Sequence, residues 1–128
     1  MADRLATGEE IKVVQWLLEH TAIGDVSKLD PESLRGGRAF VACSCGCASV
    51  DFAPPEETVG SSIVAEAYAV GPDGAIVGVM LWARPQRICG IELYDLIGGD
   101  LSRFPSVDRL RRWEDYVPPD APSISTER

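Results

Sequence analysis

The chain has 128 residues, of which 45% are hydrophobic and 25% charged, the proportions of a globular domain that buries its own core. Its net charge of −8 disfavours sequence-independent nucleic-acid binding, which needs a basic surface, and also attraction to an anionic membrane. The first residues contain no apolar run of signal-peptide length, and no later run is long enough to span a bilayer. We therefore expect a cytoplasmic protein whose thiols stay reduced.

The N-terminal part of the chain predicts helices. Thr7 and Glu10 form a capping box, and apolar residues follow on one helical stripe, so a first helix is expected over about residues 8–20. Asp30 before Pro31 indicates a second, short helix, with aspartate as the N-cap and proline at the first helical position.

Two short β-type runs follow, over residues 39–43 and 48–52. Residues 44–47 lie between them, and Gly46 is free to adopt a positive φ, which predicts a tight hairpin. The proline-rich connector over 53–58 cannot continue a sheet.

A second hairpin is the clearest feature of the sequence. Residues 62–70 and 75–83 flank a Pro-Asp-Gly turn at 71–74, which supplies both a preset φ and a left-handed glycine. If Gly71 pairs with Ala75, alternation defines two faces. The core face would carry Ile63, Ala65, Ala67, Ala69, Val77, Val79 and Leu81. The opposite face, which we call the mixed face, would carry Val64, Glu66, Tyr68, Met80 and Trp82.

A further strand over 88–94 extends both faces. It adds Cys89, Ile91 and Leu93 to the core face, and Glu92 and Tyr94 to the mixed face. Beyond it, Ser106 is a candidate cap for a short helix with Val107, Leu110 and Trp113 pointing inward.

These elements predict one α+β domain over residues 1–117. Its N-terminal helices would pack on one face of an antiparallel β-meander of about five strands, followed by a short C-terminal helix. Residues 118–128 are rich in proline, serine and aspartate, which predicts a flexible C-terminal tail.

The motif Cys-Ser-Cys-Gly-Cys-Ala-Ser-Val over 43–50, the strand segment 91–94 and the dipeptide Phe104-Pro105 resemble a family of small bacterial proteins, mainly actinobacterial, of unknown function. The family pattern is Cys-x-Cys-Gly-Cys-x-Ser-Val, then an acidic-aromatic strand and a late Phe-Pro. This chain departs from it at Pro85-Gln86, where the family has Asp-Gly, and at Cys89, where a serine is expected. The resemblance implies no activity.

The cysteine motif allows three interpretations. A zinc site would take three thiolates from Cys43, Cys45 and Cys47, and a fourth ligand from Cys89, His20 or Asp51. Each pair of neighbouring cysteines here has one residue between them, whereas structural zinc sites usually use pairs with two to four intervening residues. Thiol chemistry would need a nearby cation or base, and the motif contains none. The simplest interpretation is a tight turn whose cysteines are small buried side chains.

The mixed face is the other candidate site, because it places two carboxylates beside three aromatic side chains: Glu66, Tyr68, Trp82, Glu92 and Tyr94. Two such carboxylates could form an acid/base pair in a cleft, but aromatic and acidic strand faces more often bind partners. The arginines at 109, 111 and 112 are interpreted as a solvated helix face. The sequence contains no phosphate-binding glycine loop, His-Glu metal motif or nucleophile elbow.

The sequence therefore favours a non-enzymatic binding module, without a cofactor, that uses the mixed face to bind a protein or a small ligand. The alternative is a small zinc-binding or thiol-dependent protein built on the Cys43–Cys47 hairpin. Neither the identity of the partner nor the oligomeric state follows from the sequence.

Overall fold

A computed structural model describes residues 3–41 and 46–117, and its main feature is a single antiparallel sheet. The strands are β1 (Asp3–Leu5), β2 (Arg38–Val41), β3 (Val50–Asp51), β4 (Ser62–Val70), β5 (Ile76–Arg84), β6 (Arg87–Ile97) and β7 (Leu110–Arg112). The helices are α1 (Gly8–His20) and the single turn α2 (Pro55–Thr58), and 3₁₀ turns cover Pro31–Leu34, Val107–Arg109 and Trp113–Asp115. None of the helices in this described part is long and apolar enough to cross a membrane.

The α+β class is confirmed, but the sheet is larger than predicted. It has seven strands in the order β1-β2-β3-β6-β5-β4-β7, whereas the sequence predicts a meander of about five. Strands β4, β5 and β6 do form consecutive hairpins, and β3 then pairs with β6. The two additional strands, β1 and β7, have three residues each and lie at the edges, where sequence periodicity is too short to detect.

Helix α1 forms as its sequence predicts. The Thr7 side chain accepts from the Glu10 amide, and the Glu10 carboxylate accepts from the Thr7 amide, which completes the capping box. The buried side of the helix belongs to the same apolar cluster as the inner face of the sheet, where small residues leave room for it: Ile11, Val14 and Leu17 with Ala65, Ala67 and Ala69.

The β4–β5 hairpin confirms the predicted turn. The Gly71 amide donates to the Ala75 carbonyl over 2.8 Å, and Gly74 has a φ of 84°. Two positions were predicted on the wrong face. A register shift between Ile63 and Ala65 pairs Ile63 with Trp82 of the mixed face, while Val64 packs against the core. A β-bulge adds one residue to a strand and so exchanges the faces beyond it.

Strand β6 has the predicted register over its centre, because Leu93 pairs with Val79 and Ile91 pairs with Leu81 on the core face. Cys89 is buried as predicted, with 1% of its surface exposed. It is, however, the extra residue of a bulge between the Trp82–Gly90 and Ala83–Ile88 pairs, and it lines a pocket and is not part of the main core cluster.

The predicted C-terminal helix is absent from the described residues, which form a 3₁₀ turn, strand β7 and a second 3₁₀ turn over 107–115. Ser106 donates its hydroxyl to Asp108 and makes no capping bond to the backbone. The open edge of β4 explains this conformation, since β7 pairs with it from Ala67 to Ala69. The spacing of Val107, Leu110 and Trp113 places an inward residue at every third position. Because this spacing fits a 3₁₀ turn as well as an α-helix, it could not distinguish between the two. The predicted tail over 118–128 lies outside the described residues.

Candidate functional site

The mixed face is the side of the sheet that α1 leaves open, and strand pairing arranges its side chains in rows. One row is Tyr68, Gly78 and Tyr94, and the next is Glu66, Met80 and Glu92. A third contains Trp82, Gly90 and Asp51. The structure thus places all five predicted residues on one face, and it adds Asp51 to them.

Tyr94 crosses the central strand to reach a carboxylate on the far side. Its ring lies over Gly78, where an added β-carbon would be only 2.1 Å from the ring. Its hydroxyl donates to Glu66 Oε2 over 2.8 Å. Burial in the first place, and then this hydrogen bond, raise the pKa of Tyr94 well above its usual range. Gly78 therefore makes the contact between β6 and β4 possible.

Trp82 and Glu92 form a second diagonal contact. The Trp82 indole Nε1 donates to Glu92 Oε1 over 3.1 Å, from one row to the next. Both glutamates are thereby held by aromatic donors. Their other oxygens, Oε1 of Glu66 and Oε2 of Glu92, make no hydrogen bond or ion pair within residues 3–41 and 46–117.

Tyr68 has a different environment from the other four residues. It is 6% exposed, because the segment after β7 folds over it. Its ring lies 4.8 Å from Trp113 and 5.1 Å from Tyr116, centroid to centroid. These two aromatic residues were not predicted to be part of the mixed face, because the spacing of Val107, Leu110 and Trp113 indicated an inward stripe of a helix. No local signal in the sequence distinguishes the two arrangements.

The indole of Trp113 is unusual in this cluster. Its Nε1 is buried without a hydrogen-bond partner in the described part of the chain. It lies near the Tyr94 hydroxyl and partly offsets the rise in the pKa of that group, but it is not in hydrogen-bonding geometry. Such a donor costs free energy unless a ligand, a water or a small movement satisfies it.

A pocket of about 400 Å³ lies beside Trp82 and Glu92. Its wall includes Asp51, whose Oδ1 lies over Gly90, 2.8 Å from where a β-carbon would stand. Burial first, and then the charge of Glu92, raise the pKa of Asp51. No cationic side chain lines this pocket among the described residues, so its negative charge is not neutralised from within.

The cysteine candidates are only partly described. Cys43 and Cys45 lie outside the described residues, whereas Gly46 has the predicted positive φ of 93°. Cys47 is half-buried and free, and Cys89 is buried and free. Both line the same pocket as Asp51, and burial raises the pKa of the Cys89 thiol.

Of the proposed fourth ligands of a zinc site, His20 lies apart from the pocket that Cys89 and Asp51 line. His20 is exposed at the end of α1, where its ring stacks on Trp16 with 4.4 Å between centroids. Within the ranges 3–41 and 46–117, no group of three or more histidine, cysteine, aspartate or glutamate side chains is placed to hold a metal ion.

Comparison with known proteins adds no relative to this picture. No protein-family model matches the chain, and no curated protein or solved structure matches it. The case for a function therefore depends on the geometry of the mixed face and of the pockets.

Proposed function

We propose that the protein is a non-enzymatic, cytoplasmic binding module whose mixed face holds a partner that carries positive charge. One observation supports this most directly: Glu66 and Glu92 are each fixed by an aromatic donor, and neither is paired with a cation among the described residues. A carboxylate held in place with a free oxygen is ready to accept from an ammonium or guanidinium group.

The aromatic side chains suit the same kind of partner. A guanidinium group can stack on an indole or phenol ring while it donates to a nearby carboxylate, so Trp82 beside Glu92 suits arginine especially well. The net charge of −8 would also steer a basic partner towards the protein. We therefore propose a basic protein segment, or a small organic cation, as the partner.

Binding is better supported than catalysis. The raised pKa of Asp51, which burial and the neighbouring Glu92 cause, is a feature that acid/base sites share. However, the single histidine lies on α1, away from this pocket. Among the described residues, the pocket that contains Asp51 has no lysine or arginine in its wall. A cation-binding pocket accounts for the same features without further groups.

A zinc-binding or thiol-dependent protein is the second proposal. It is supported by the position of Cys47 and Cys89, which line one pocket together with Asp51. Metal analysis of untagged protein purified under reducing conditions separates the two proposals. One zinc ion per chain in the wild-type protein, and none in a Cys47→Ala variant, would favour the second proposal.

A titration with a short peptide of alternating arginine and glycine tests the first proposal. Glu92→Gln removes the charge beside Trp82, so it should weaken peptide binding by about tenfold, as expected for one charge-assisted hydrogen bond. Glu56→Gln is the matched control, because Glu56 is exposed on α2 and its loss changes the net charge equally. Equal affinities of the two variants, or equal binding of a glutamate-glycine peptide, would contradict the proposal.

A further inference from the structure

A larger cavity, of about 920 Å³, lies on the side of the sheet opposite the mixed face. It is found where the first turns of α1, the β4–β5 turn and the segment 98–107 meet. Its volume is that of pockets that bind small organic molecules. We call it the helix-side groove.

The floor of the groove is apolar and well packed. It includes Val13, Ala69 and Val77, which are 2%, 3% and 8% exposed, with Phe104 and Val107 beside them. The three buried side chains have little surface of their own, so Phe104 and Val107, which are partly exposed, are the ones that an apolar ligand body would contact.

The segment that closes the groove is held by local hydrogen bonds. The Gly99 amide donates to Asp95 Oδ1, and the Ser102 amide and hydroxyl donate to Asp100 Oδ1. Gly99 also lies against Val77, since a β-carbon there would be 2.1 Å from Val77 Cγ1. The wall of the groove is therefore preformed, which lowers the entropy cost of binding.

The rim of the groove carries three basic and three acidic side chains, and the basic ones form no ion pair among the described residues. Lys12 and Arg103 make no hydrogen bond or ion pair within the described residues, and Arg109 donates only to the Val70 carbonyl over 3.4 Å. Of the acids, Asp73 accepts from the Ala75 amide, and Asp100 is held by Ser102. Glu9 is the remaining carboxylate.

Half of the basic side chains that form no ion pair in the described part of the chain lie at this groove. Four described arginines are paired with carboxylates: Arg4, Arg35, Arg87 and Arg112. Six other basic side chains form no ion pair there: Lys12, Lys28, Arg84, Arg103, Arg109 and Arg111. Of these six, Lys12, Arg103 and Arg109 line the groove. Two of them nevertheless act on nearby acids: hydrogen bonds from Ser102 and then the charge of Arg103 lower the pKa of Asp100. A hydrogen bond from Ser106 and, more weakly, the charge of Arg109 lower the pKa of Asp108.

We propose that the helix-side groove binds a small organic anion, with its apolar body against Phe104 and Val107 and its carboxylate or similar group at a basic side chain of the rim, of which Arg103 is the one tested below. This site is independent of the proposed function, because it lies on the other side of the sheet and has the opposite charge preference. An apolar lining with basic side chains at its rim can hold an anionic amphiphile.

Octanoate is a suitable probe, followed by calorimetry and by amide chemical shifts. A ligand of this size should bind with a dissociation constant of the order of 1 mM. The amide shifts should map to Val13, Val77, Phe104 and Val107. Octan-1-ol, which lacks the charge, should bind at least about fivefold more weakly.

Two matched variants locate the charge contact. Arg103→Gln should weaken octanoate binding by about fivefold. Arg84→Gln should leave binding unchanged, because it removes another exposed arginine, without an ion pair among the described residues, that lies outside the groove. Glu9→Gln should tighten binding, because it removes the free carboxylate of the rim. All three residues are exposed, so the melting temperature should report an intact fold in each variant.

Any of three results would overturn the proposal. These are an absence of octanoate binding to the wild-type protein, equal effects of Arg103→Gln and Arg84→Gln, and shifts that map to the mixed face. Loss of peptide binding to the mixed face would not affect it, so this site and the proposed function fail separately.

Discussion

Asp51 is the residue whose chemistry most directly links the fold to the proposed function. Burial and then Glu92 raise its pKa, so the fold disfavours the ionised carboxylate. When folding raises the pKa of a group, the group's contribution to the free energy of unfolding is complete below its pKa in the unfolded chain. That contribution is lost as the pH rises through its pKa in the folded protein. At neutral pH, the charge of Asp51 therefore costs stability.

Asp51→Asn should thus stabilise the protein at pH 7, by less than about 1 kcal/mol because the side chain is partly solvated. The gain should shrink at about pH 4, where the wild-type carboxyl becomes protonated. Urea unfolding at the two pH values measures both effects. The same variant should bind the arginine-glycine peptide more weakly. If Asp51→Asn changes neither the stability nor the peptide affinity, Asp51 has neither of the roles given to it here.

Gly78 is the residue that fixes the position of Tyr94. Gly78→Ala would place a methyl group 2.1 Å from the Tyr94 ring, so the ring must move and Glu66 must lose its donor. We expect a loss of about 2–3 kcal/mol in the free energy of unfolding. Gly8→Ala is the control, because it has open space around its position in α1 and should be neutral or slightly stabilising. Similar losses in both variants would show that the Tyr94 contact is not the cause.

At the scale of elements, one ion pair joins β1 to the first turn of α1. Arg4 donates from both terminal nitrogens to Glu10, over 3.1 and 2.6 Å, and Glu10 is only 5% exposed. Burial raises the pKa of Glu10, but the hydrogen bonds from Arg4 and Thr7 outweigh it and lower the pKa overall. The stability from this pair is therefore present above the pKa of an unfolded glutamate and is lost as the pH falls.

Arg4→Ala should leave a buried carboxylate without its cation and cost about 2–3 kcal/mol at neutral pH. The difference from wild type should narrow in acid, where Glu10 is protonated in both proteins. Arg35→Ala removes an exposed pair with Glu32 and should cost less than about 0.5 kcal/mol. A loss from Arg4→Ala that does not change with pH would mean that packing, not charge, holds β1 against the helix.

The elements that could be predicted from the sequence are those determined locally. The capping box of α1 and the Pro-Asp-Gly turn each depend on a few consecutive residues, and both have the predicted geometry. The bulges at Val64 and Cys89 and the pairing of β7 with β4 depend on residues far apart in the chain. Periodicity within one segment contains no information about such partners.

The same distinction applies to the candidate site. Alternation along three strands was enough to group Glu66, Tyr68, Trp82, Glu92 and Tyr94 on one side of the sheet. The diagonal hydrogen bonds could not be predicted, because each requires the register of two strands at once. The covering of Tyr68 depends on a change of direction after β7, which the sequence does not reveal.

At the scale of the whole molecule, charge is distributed unequally between the two sides of the sheet. The mixed face and its pocket have carboxylates without a cation partner in the described residues, while the helix-side groove has three basic side chains, none of them in an ion pair there, beside three carboxylates. A chain with a net charge of −8 could pair these groups with each other, and instead they lie on opposite sides of the sheet. Such separation is consistent with two binding sites of opposite preference.

The three tryptophans provide the most direct test of the central claim, because each reports on a different place. Trp82 lies beside Glu92 on the mixed face, Trp113 covers Tyr68, and Trp16 lies on α1. In an NMR titration with the arginine-glycine peptide, the Trp82 indole N–H should shift and saturate while that of Trp16 stays in place. A shift of Trp16 without one of Trp82, or no saturable shift at Trp82, would contradict the assignment of the mixed face as the binding surface.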